Sequence, residues 1–323
     1  MGKKIKKYVA WGASPLFELY VSHVKNHKID YCVDASKEKQ GKEVAGVKVY
    51  PPQKLLKADK YNSIVINFGH SSIALQSIHR ALSVEGFILG DNYLDFAVFA
   101  KDGFQSEACK VFGRHLSDNL FAFARAFNFN STIPLETTVL GNWLLLEALR
   151  MTDSLGGSIA EVGAYKGGNS NLLLSAMSLW NDKRKYFIFD SFKGFGKLSD
   201  KDPAHQQDAF NYDYNLKLIK NLFVIFKQAR VIEGFVPATF KQIDDGEKFS
   251  LVLFDCDLYQ PALDTYHYFW DKLQKGGILV IHDNVATLDG WTGVRKASEE
   301  FFHPKGIKFH DLWETTMSVI IKQ

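Results

Sequence analysis

Two apolar stretches that end in acids carry the side chains best suited to chemistry. LVLFDCDLYQPALD (251–264) runs into Asp255 and Asp257 on either side of Cys256, and KGGILVIHDN (275–284) runs into His282 and Asp283. Carboxylates gathered in a partly dry site repel one another and retain protons, and a shared cation relieves that repulsion. A cation beside a hydroxyl lowers its pKa, and a neighbouring carboxylate accepts the proton. Residues two apart on a strand point to one side, so Asp255 and Asp257 are expected to face a common cleft, with Cys256 turned away. Asp257 could instead cap a helix beginning near Pro261.

A third stretch, AEVGAYKGGNS (160–170), places Glu161 and Gly163 before Gly167 and Gly168. Glycines there let a ligand approach the backbone, and the helix they open, capped by Asn169 or Ser170, offers unpaired amides. A tight strand-to-helix turn without a ligand would use the same residues. Asp190 ends the next apolar run, KYFIFD. That is where α/β cofactor sites set a carboxylate against ribose hydroxyls, although it could also cap the following turn.

The elements that must position these residues alternate between strand and helix. From Thr138 onward the helix VLGNWLLLEALRMT precedes strands SIAEVGA, KYFIFDSF, ARVIEGF, SLVLFDCD, GGILVIHDN and TMSVIIK, with helices between most of them. The pattern predicts a doubly wound, mostly parallel sheet with an antiparallel terminal strand, and ligands at the carboxyl ends of its strands. Glu161, Asp190, Asp255, Asp257 and Asp283 all fall at such ends. Residues 1–100 show a smaller β-turn-α alternation starting at YVAWGAS. The stretch 101–137, rich in Phe and Ala, reads as a helical connector whose aromatic face serves packing. Three units are therefore expected: 1–100, 101–137 and 138–323. The polar insertion from Gly194 to Asn215 is expected to form a lid over the substrate, with His205 and Tyr212 as contacts.

Composition narrows the classes. With 46% hydrophobic and 23% charged residues and a net charge of +3, the chain reads as globular, with no basic stripe for nucleic acid. No uncharged apolar run is long enough to span a membrane, and Gly12, Ser14 and Pro15 interrupt the first apolar stretch. Cys32, Cys109 and Cys256 suggest neither a disulfide framework nor a zinc site, which points to a reducing, cytoplasmic setting.

Five ordered segments, EVGAYKGGNS, FDSFKGF, DCDLYQPALD, KGGILVIHDN and GVRKASEEF, resemble the macrocin-type (TylF/MycF-like) O-methyltransferases, which methylate sugar hydroxyls on natural products. The resemblance covers Thr138 to the C-terminus. It implies a class I methyltransferase sheet, S-adenosyl-L-methionine as donor and a divalent ion, usually Mg2+. Carried across, Glu161, Gly163, Ala164, Tyr165, Gly167, Asn169, Ser170, Asp190, Ser191, Gly234, Phe235 and Asp255 would contact the cofactor. Asp255 and Asp283 would hold the metal, and Asp257 would be the general base. The family usually has two adjacent acids where this chain has His282 and Asp283. An imidazole suits softer ions than Mg2+, so His282 could ligate, bond a metal-bound water or pack. The implied acceptor is a small molecule, a sugar or nucleotide sugar, acted on by a homo-oligomer.

The N-terminal unit resembles the small Rossmann-like domains fused to some glycan-modifying enzymes. WGAS, with Asp34 beyond it, partly matches a dinucleotide fingerprint, but Ser14 and Phe17 stand where glycines would be. Two other classes fit less well. A nicotinamide oxidoreductase would need a catalytic Tyr/Lys or His set near WGAS, and a non-catalytic module binding cofactor or glycan would not need Asp257.

Overall fold

The computed structural model describes residues 6–203, 220, 223–285 and 292–323. Strands β1 (Lys7–Trp11), β2 (Ile29–Val33), β3 (Glu43–Val44), β4 (Val47–Tyr50), β5 (Ser63–Asn67) and β6 (Tyr93–Asp95) form a sheet in the order β3-β4-β2-β1-β5-β6. It is parallel except for the β3/β4 pair. Helix α1 (Pro15–His23) follows β1 directly. Pro15 sits where its missing N–H leaves no intrahelical bond unmade, and the Ser14 hydroxyl accepts from the Phe17 amide at 3.3 Å. Helix α2 (Ser72–Val84) follows β5 in the same way, capped by Ser71. The Asp34 carboxylate accepts from the Ala13 amide at 2.7 Å and the Ser36 amide at 2.8 Å.

The Phe-rich stretch is helical. Asp95 caps α3 (Phe96–Phe112), and α4 (Asp118–Asn130) and α5 (Val139–Met151) follow. Its aromatic residues pack: Phe104 and Phe121 lie 5.5 Å and 5.0 Å from Trp143. One apolar cluster runs from Phe17 and Phe68 in the first unit through Phe104 and Trp143 to Leu144 and Ile188. Glu147, fully buried on α5, pairs with Arg114 at 2.9 Å and accepts from the Ser117 amide, which fixes the α3–α4 turn to α5.

The second sheet holds β7 (Ser158–Val162), β8 (Tyr186–Asp190), β9 (Ala229–Glu233), β10 (Phe249–Phe254), β11 (Leu273–Ile281), β12 (His310–Leu312) and β13 (Met317–Ile321). Their order is β12-β13-β11-β10-β7-β8-β9, with β13 antiparallel to both neighbours and the other pairs parallel, which is the doubly wound sheet with an antiparallel terminal strand that the pattern predicts. β7 and β10 are buried at every position because both faces of the sheet are covered. Helices α5 and α6 (Gly168–Leu179) lie in one apolar cluster, and α7 (Tyr259–Phe269) and α8 (Gly293–Phe302) in another. Strand order reverses between β7 and β10, so the crevice at their carboxyl ends is where this topology leaves room for a ligand. Among the described residues, no helix is long and apolar enough to cross a membrane.

One buried ion pair locks this sheet to α5. Arg184 pairs with Asp182 at 2.6 Å and donates to Thr152 Oγ1, Ser250 Oγ and the Leu149 carbonyl. Replacing Arg184 with Met leaves the Asp182 carboxylate buried and uncompensated, and is expected to cost about 3–5 kcal/mol. Urea unfolding checks this; a loss below about 1 kcal/mol would show that the pair is dispensable.

Candidate active site

A cavity of about 920 Å³ opens at the carboxyl ends of β7, β8, β10 and β11. Its nearness to the acid-bearing loops follows from one close approach. Gly163, at φ +94°, lies so near the next loop that a Cβ there would sit 2.1 Å from the Asp255 carbonyl oxygen and 2.9 Å from Cys256 Sγ. A side chain at 163 would push the loop after β10 away from the loop after β7. The glycine is thus required by protein backbone as well as suited to a ligand.

Asp255, Asp257, His282 and Asp283 each bring a ligand atom within 4.8 Å of the others. His282 Nδ1 lies 3.0 Å from Asp255 Oδ1 and 2.7 Å from Asp283 Oδ2, while Nε2 lies 3.4 Å from Thr316 Oγ1. Burial raises the Asp257 carboxyl well above its ordinary range, and the charges of Asp283 and Asp255 raise it further. Burial also raises Asp255, against the opposing charge of His282. Burial would lower His282, but the two flanking carboxylates outweigh it and raise the imidazole well above its usual value. Burial would likewise raise Asp283, yet the charge of His282 and hydrogen bonds from His282 and Asp257 hold it below the usual range. Three carboxylates and one imidazole are a donor set that fits a divalent ion.

The alternation expected for Asp255, Cys256 and Asp257 does not occur. β10 ends at Phe254, and Asp257 adopts a left-handed φ of 61°, so all three residues line the cavity. Asp257 does not cap α7 either: Leu258 holds the cap position, and the Tyr259 amide donates to Asp202 Oδ1 at 2.8 Å. Tyr165, Phe192, Asp283 and Thr316 are also non-glycine residues at positive φ, and with Asp257 they gather at this edge of the sheet. Such strain concentrates at functional sites because the surrounding fold must enforce it.

Of the residues expected to contact a cofactor, Gly163, Ala164, Tyr165, Asn169, Asp190, Ser191, Gly234, Phe235 and Asp255 line the cavity. Asp190 Oδ2 accepts from the Ala164 and Tyr165 amides at 2.8 Å, and Oδ1 from the Phe192 amide at 2.6 Å. Asn169 Nδ2 donates to Asp255 Oδ2 at 3.3 Å. Glu161, Gly167 and Ser170 are not among the lining residues. Glu161 is fully buried behind the wall, where its Oε2 accepts from Ser170 and from Tyr186 at 2.9 Å. Asn169 and Ser170 do not cap α6: Gly167, left-handed at φ 81°, holds that position with no side-chain bond. His205 and Tyr212 lie outside the described residues.

Sequence reasoning missed several lining residues. Lys166, inside the glycine stretch, was available from the motif. Pro15, Leu16, His70, Pro134, Glu136 and Thr316 come from four other segments, and no local pattern marks them.

Burial pushes the Glu161 carboxyl up to about 8, with Asp255 and Asp190 adding to the rise and the Ser170 and Tyr186 bonds opposing it. Native Glu161 thus holds its proton more tightly than in the unfolded chain. Its unfavourable contribution is absent below about pH 4.5, grows through the window up to about pH 8, and is complete above it. Glu161→Gln is expected to match the parent chain near pH 4 and to gain relative stability as pH rises through that window. Parallel urea-midpoint profiles for the two proteins would contradict this.

Comparisons with known proteins show what the chain is similar to. An O-methyltransferase of Streptomyces olivaceus, named as acting at the 4' position of 8-demethyl-8-(2,3-dimethoxy-alpha-L-rhamnosyl)-tetracenomycin-C, is 22% identical over 143 residues, 41% of this chain and 55% of the relative. The mycinamicin III 3''-O-methyltransferase of Micromonospora griseorubida is 24% identical over 145 residues, 41% of this chain and 57% of the relative. The chain thus spans little more than half the length of the curated relatives it matches. Among solved structures, a calicheamicin methyltransferase overlays with a TM-score of 0.49 at 21% identity, covering 64% of this chain and 94% of the other. The O-methyltransferase NovP does so with a TM-score of 0.49 at 15% identity, covering 70% and 99%. The family model described as macrocin-O-methyltransferase (TylF) matches residues 145–317, more than half of the sequence, and the chain belongs to that family.

Proposed function

We propose that the protein transfers a methyl group from S-adenosyl-L-methionine to a hydroxyl of a sugar or glycan-type small molecule, with the help of a divalent ion. The observation that carries this reading is the convergence of Asp255, Asp257, His282 and Asp283 on the same cavity as the Gly163 loop and Asp190. The names of both relatives, which specify methylation of hydroxyl oxygens on natural products, support the acceptor class. A helical connector at 101–137 between an N-terminal α/β unit and the methyltransferase unit is part of the same proposal.

Each group has a part. Asp190, its carboxylate fixed by three amides, retains acceptor capacity for ribose hydroxyls. Phe235, 46% exposed at the cavity wall, offers a ring face to a purine. Asn169 steadies Asp255. Asp255 and Asp283 would hold the metal, with His282 bridging them. A bound dication would relieve the carboxylate repulsion and lower the pKa of a hydroxyl beside it. Asp257 takes the acceptor proton as the oxygen forms its bond to the methyl carbon and the carbon–sulfur bond breaks. Alignment of oxygen, carbon and sulfur by a rigid pocket supplies much of the rate.

Asp257→Asn is expected to lower methyl transfer to the accepted sugar by about 100-fold or more while leaving S-adenosylhomocysteine affinity nearly intact. Radiolabelled methyl transfer and calorimetry check the two halves, and unchanged turnover removes Asp257 from the role of base. Chelation is expected to abolish turnover, and one divalent ion to restore it. Full activity in excess EDTA would refute the metal assignment.

A further inference from the structure

The cavity is not built from the second sheet alone. Pro15 and Leu16, in the first turn of α1, and His70, in the loop after β5, also line it. β1 and β5 are parallel neighbours, so the segments that follow them emerge at one edge of the first sheet. That edge faces the acid cluster: His70 lines the same cavity as Asp255, Asp257 and Asp283.

The loop that presents His70 is held from several directions. Asn67 receives the Gly69 amide at 2.9 Å and donates to the Leu75 carbonyl at 3.0 Å. Ser14 Oγ donates to the Phe68 carbonyl at 2.7 Å, and Ser71 caps α2. A Cβ at Gly69 would lie 2.4 Å from the Leu75 amide nitrogen, so the loop is folded tightly onto the helix it precedes. The same loop is tied to the cofactor side. The Ser72 amide donates to the Leu135 carbonyl at 2.8 Å, and the Leu135 amide to Ser72 Oγ at 3.0 Å. The adjacent Pro134 carbonyl lies 2.3 Å from where a Cβ of Gly168 would be, at the start of α6. Protein backbone thus connects the His70 loop to the helix that opens the glycine stretch.

His70 itself is not used by this network. Among the described residues its ring has no hydrogen-bond partner, and it stands exposed at the cavity wall. An imidazole offers a donor and an acceptor. At about 920 Å³ the cavity lies near the top of the ~300–1,000 Å³ range of single-ligand sites, which leaves room for an acceptor beside a nucleoside cofactor.

We propose that His70 is an acceptor-contacting, specificity-determining residue: it hydrogen-bonds a second hydroxyl of the sugar whose first hydroxyl is presented to Asp257, and the N-terminal unit thereby forms the acceptor wall. The acceptor class is then a sugar that retains at least two free hydroxyls. The inference rests on the methyltransferase reading and adds the residue and the hydroxyl count.

The test uses the full chain, His70→Ala and His70→Gln. S-adenosylhomocysteine affinity is measured by calorimetry. Binding of free and nucleotide-linked hexoses and 6-deoxyhexoses, with their monodeoxy analogues, is then measured on the Mg2+- and S-adenosylhomocysteine-loaded protein. The expected result is that the parent chain binds at least one panel sugar, that His70→Ala weakens it by about tenfold or more, and that His70→Gln recovers most of the loss. S-adenosylhomocysteine affinity should stay within about twofold in both variants, which also reports that they fold. For one monodeoxy analogue, parent and His70→Ala should bind equally. Equal binding of the parent sugar by parent chain and His70→Ala overturns the proposal, as does a parent chain that binds S-adenosylhomocysteine but no panel sugar. A parent chain that fails to bind S-adenosylhomocysteine overturns the methyltransferase reading, and the proposal with it.

Discussion

The approach of the Asp255 backbone to Gly163 is the constraint from which the site follows. β7 and β10 are parallel neighbours, and the Asp255 amide donates to the Val162 carbonyl at 2.8 Å as the strands end. With no Cβ at 163, the loop after β10 folds over the loop after β7 instead of turning away. The two loops then share one crevice, with the helix-opening glycines on one side and the carboxylates on the other. A sheet whose strand order reverses at this point supplies the opening, and the close contact decides what lines it.

That arrangement is electrostatically expensive. Three carboxylates and an imidazole occupy a pocket in which ionised groups are poorly solvated; the raised carboxyls of Asp257 and Asp255 express that burial, and the raised imidazole of His282 expresses the pull of the two carboxylates beside it. Left-handed backbone at Tyr165, Asp257, Asp283 and Thr316 adds conformational cost at the same edge. The remainder of the fold must hold these residues in place. Continuous apolar packing on both sheet faces and buried ion pairs such as Arg184–Asp182 provide the rigidity. A site that must align three atoms for displacement benefits from such stiffness.

The two sheets repeat one local device. Asp34 in the first and Asp190 in the second each end a strand and accept an amide from the loop after the neighbouring strand, at 2.7 Å and 2.8 Å. In a parallel sheet the amides that follow one strand lie within reach of a carboxylate one strand away, so the device arises wherever that loop is short. The segment after β12 joins the units: Trp313 stacks on His23 at 5.3 Å, while Thr316, three residues on, lies against His282. Contact between the units is therefore continuous with the wall of the cavity.

Much of the second sheet was legible because its strands are apolar runs separated by helical periodicity, and burial on both faces writes that pattern into the residues themselves. The acids at the strand ends were legible for the same reason, since a charge that closes an apolar run marks where the chain leaves the core. The sequence misled at Cys256, which lies two residues past the end of β10 where strand alternation no longer applies, and at Asn169 and Ser170, which lie inside α6 and not at its cap. A left-handed residue, Asp257 or Gly167, resets side-chain direction in a way that residue type does not announce. The sequence by itself determined the two alternating units, the strand-end acids and the glycine loop, all consequences of local periodicity and composition. Only the tertiary structure decided that Glu161 is sealed behind the wall, that His282 bridges two carboxylates, and that His70 and Thr316 share their cavity. Those facts depend on contacts between segments far apart in the chain, whose geometry is set by packing and not by neighbours in sequence.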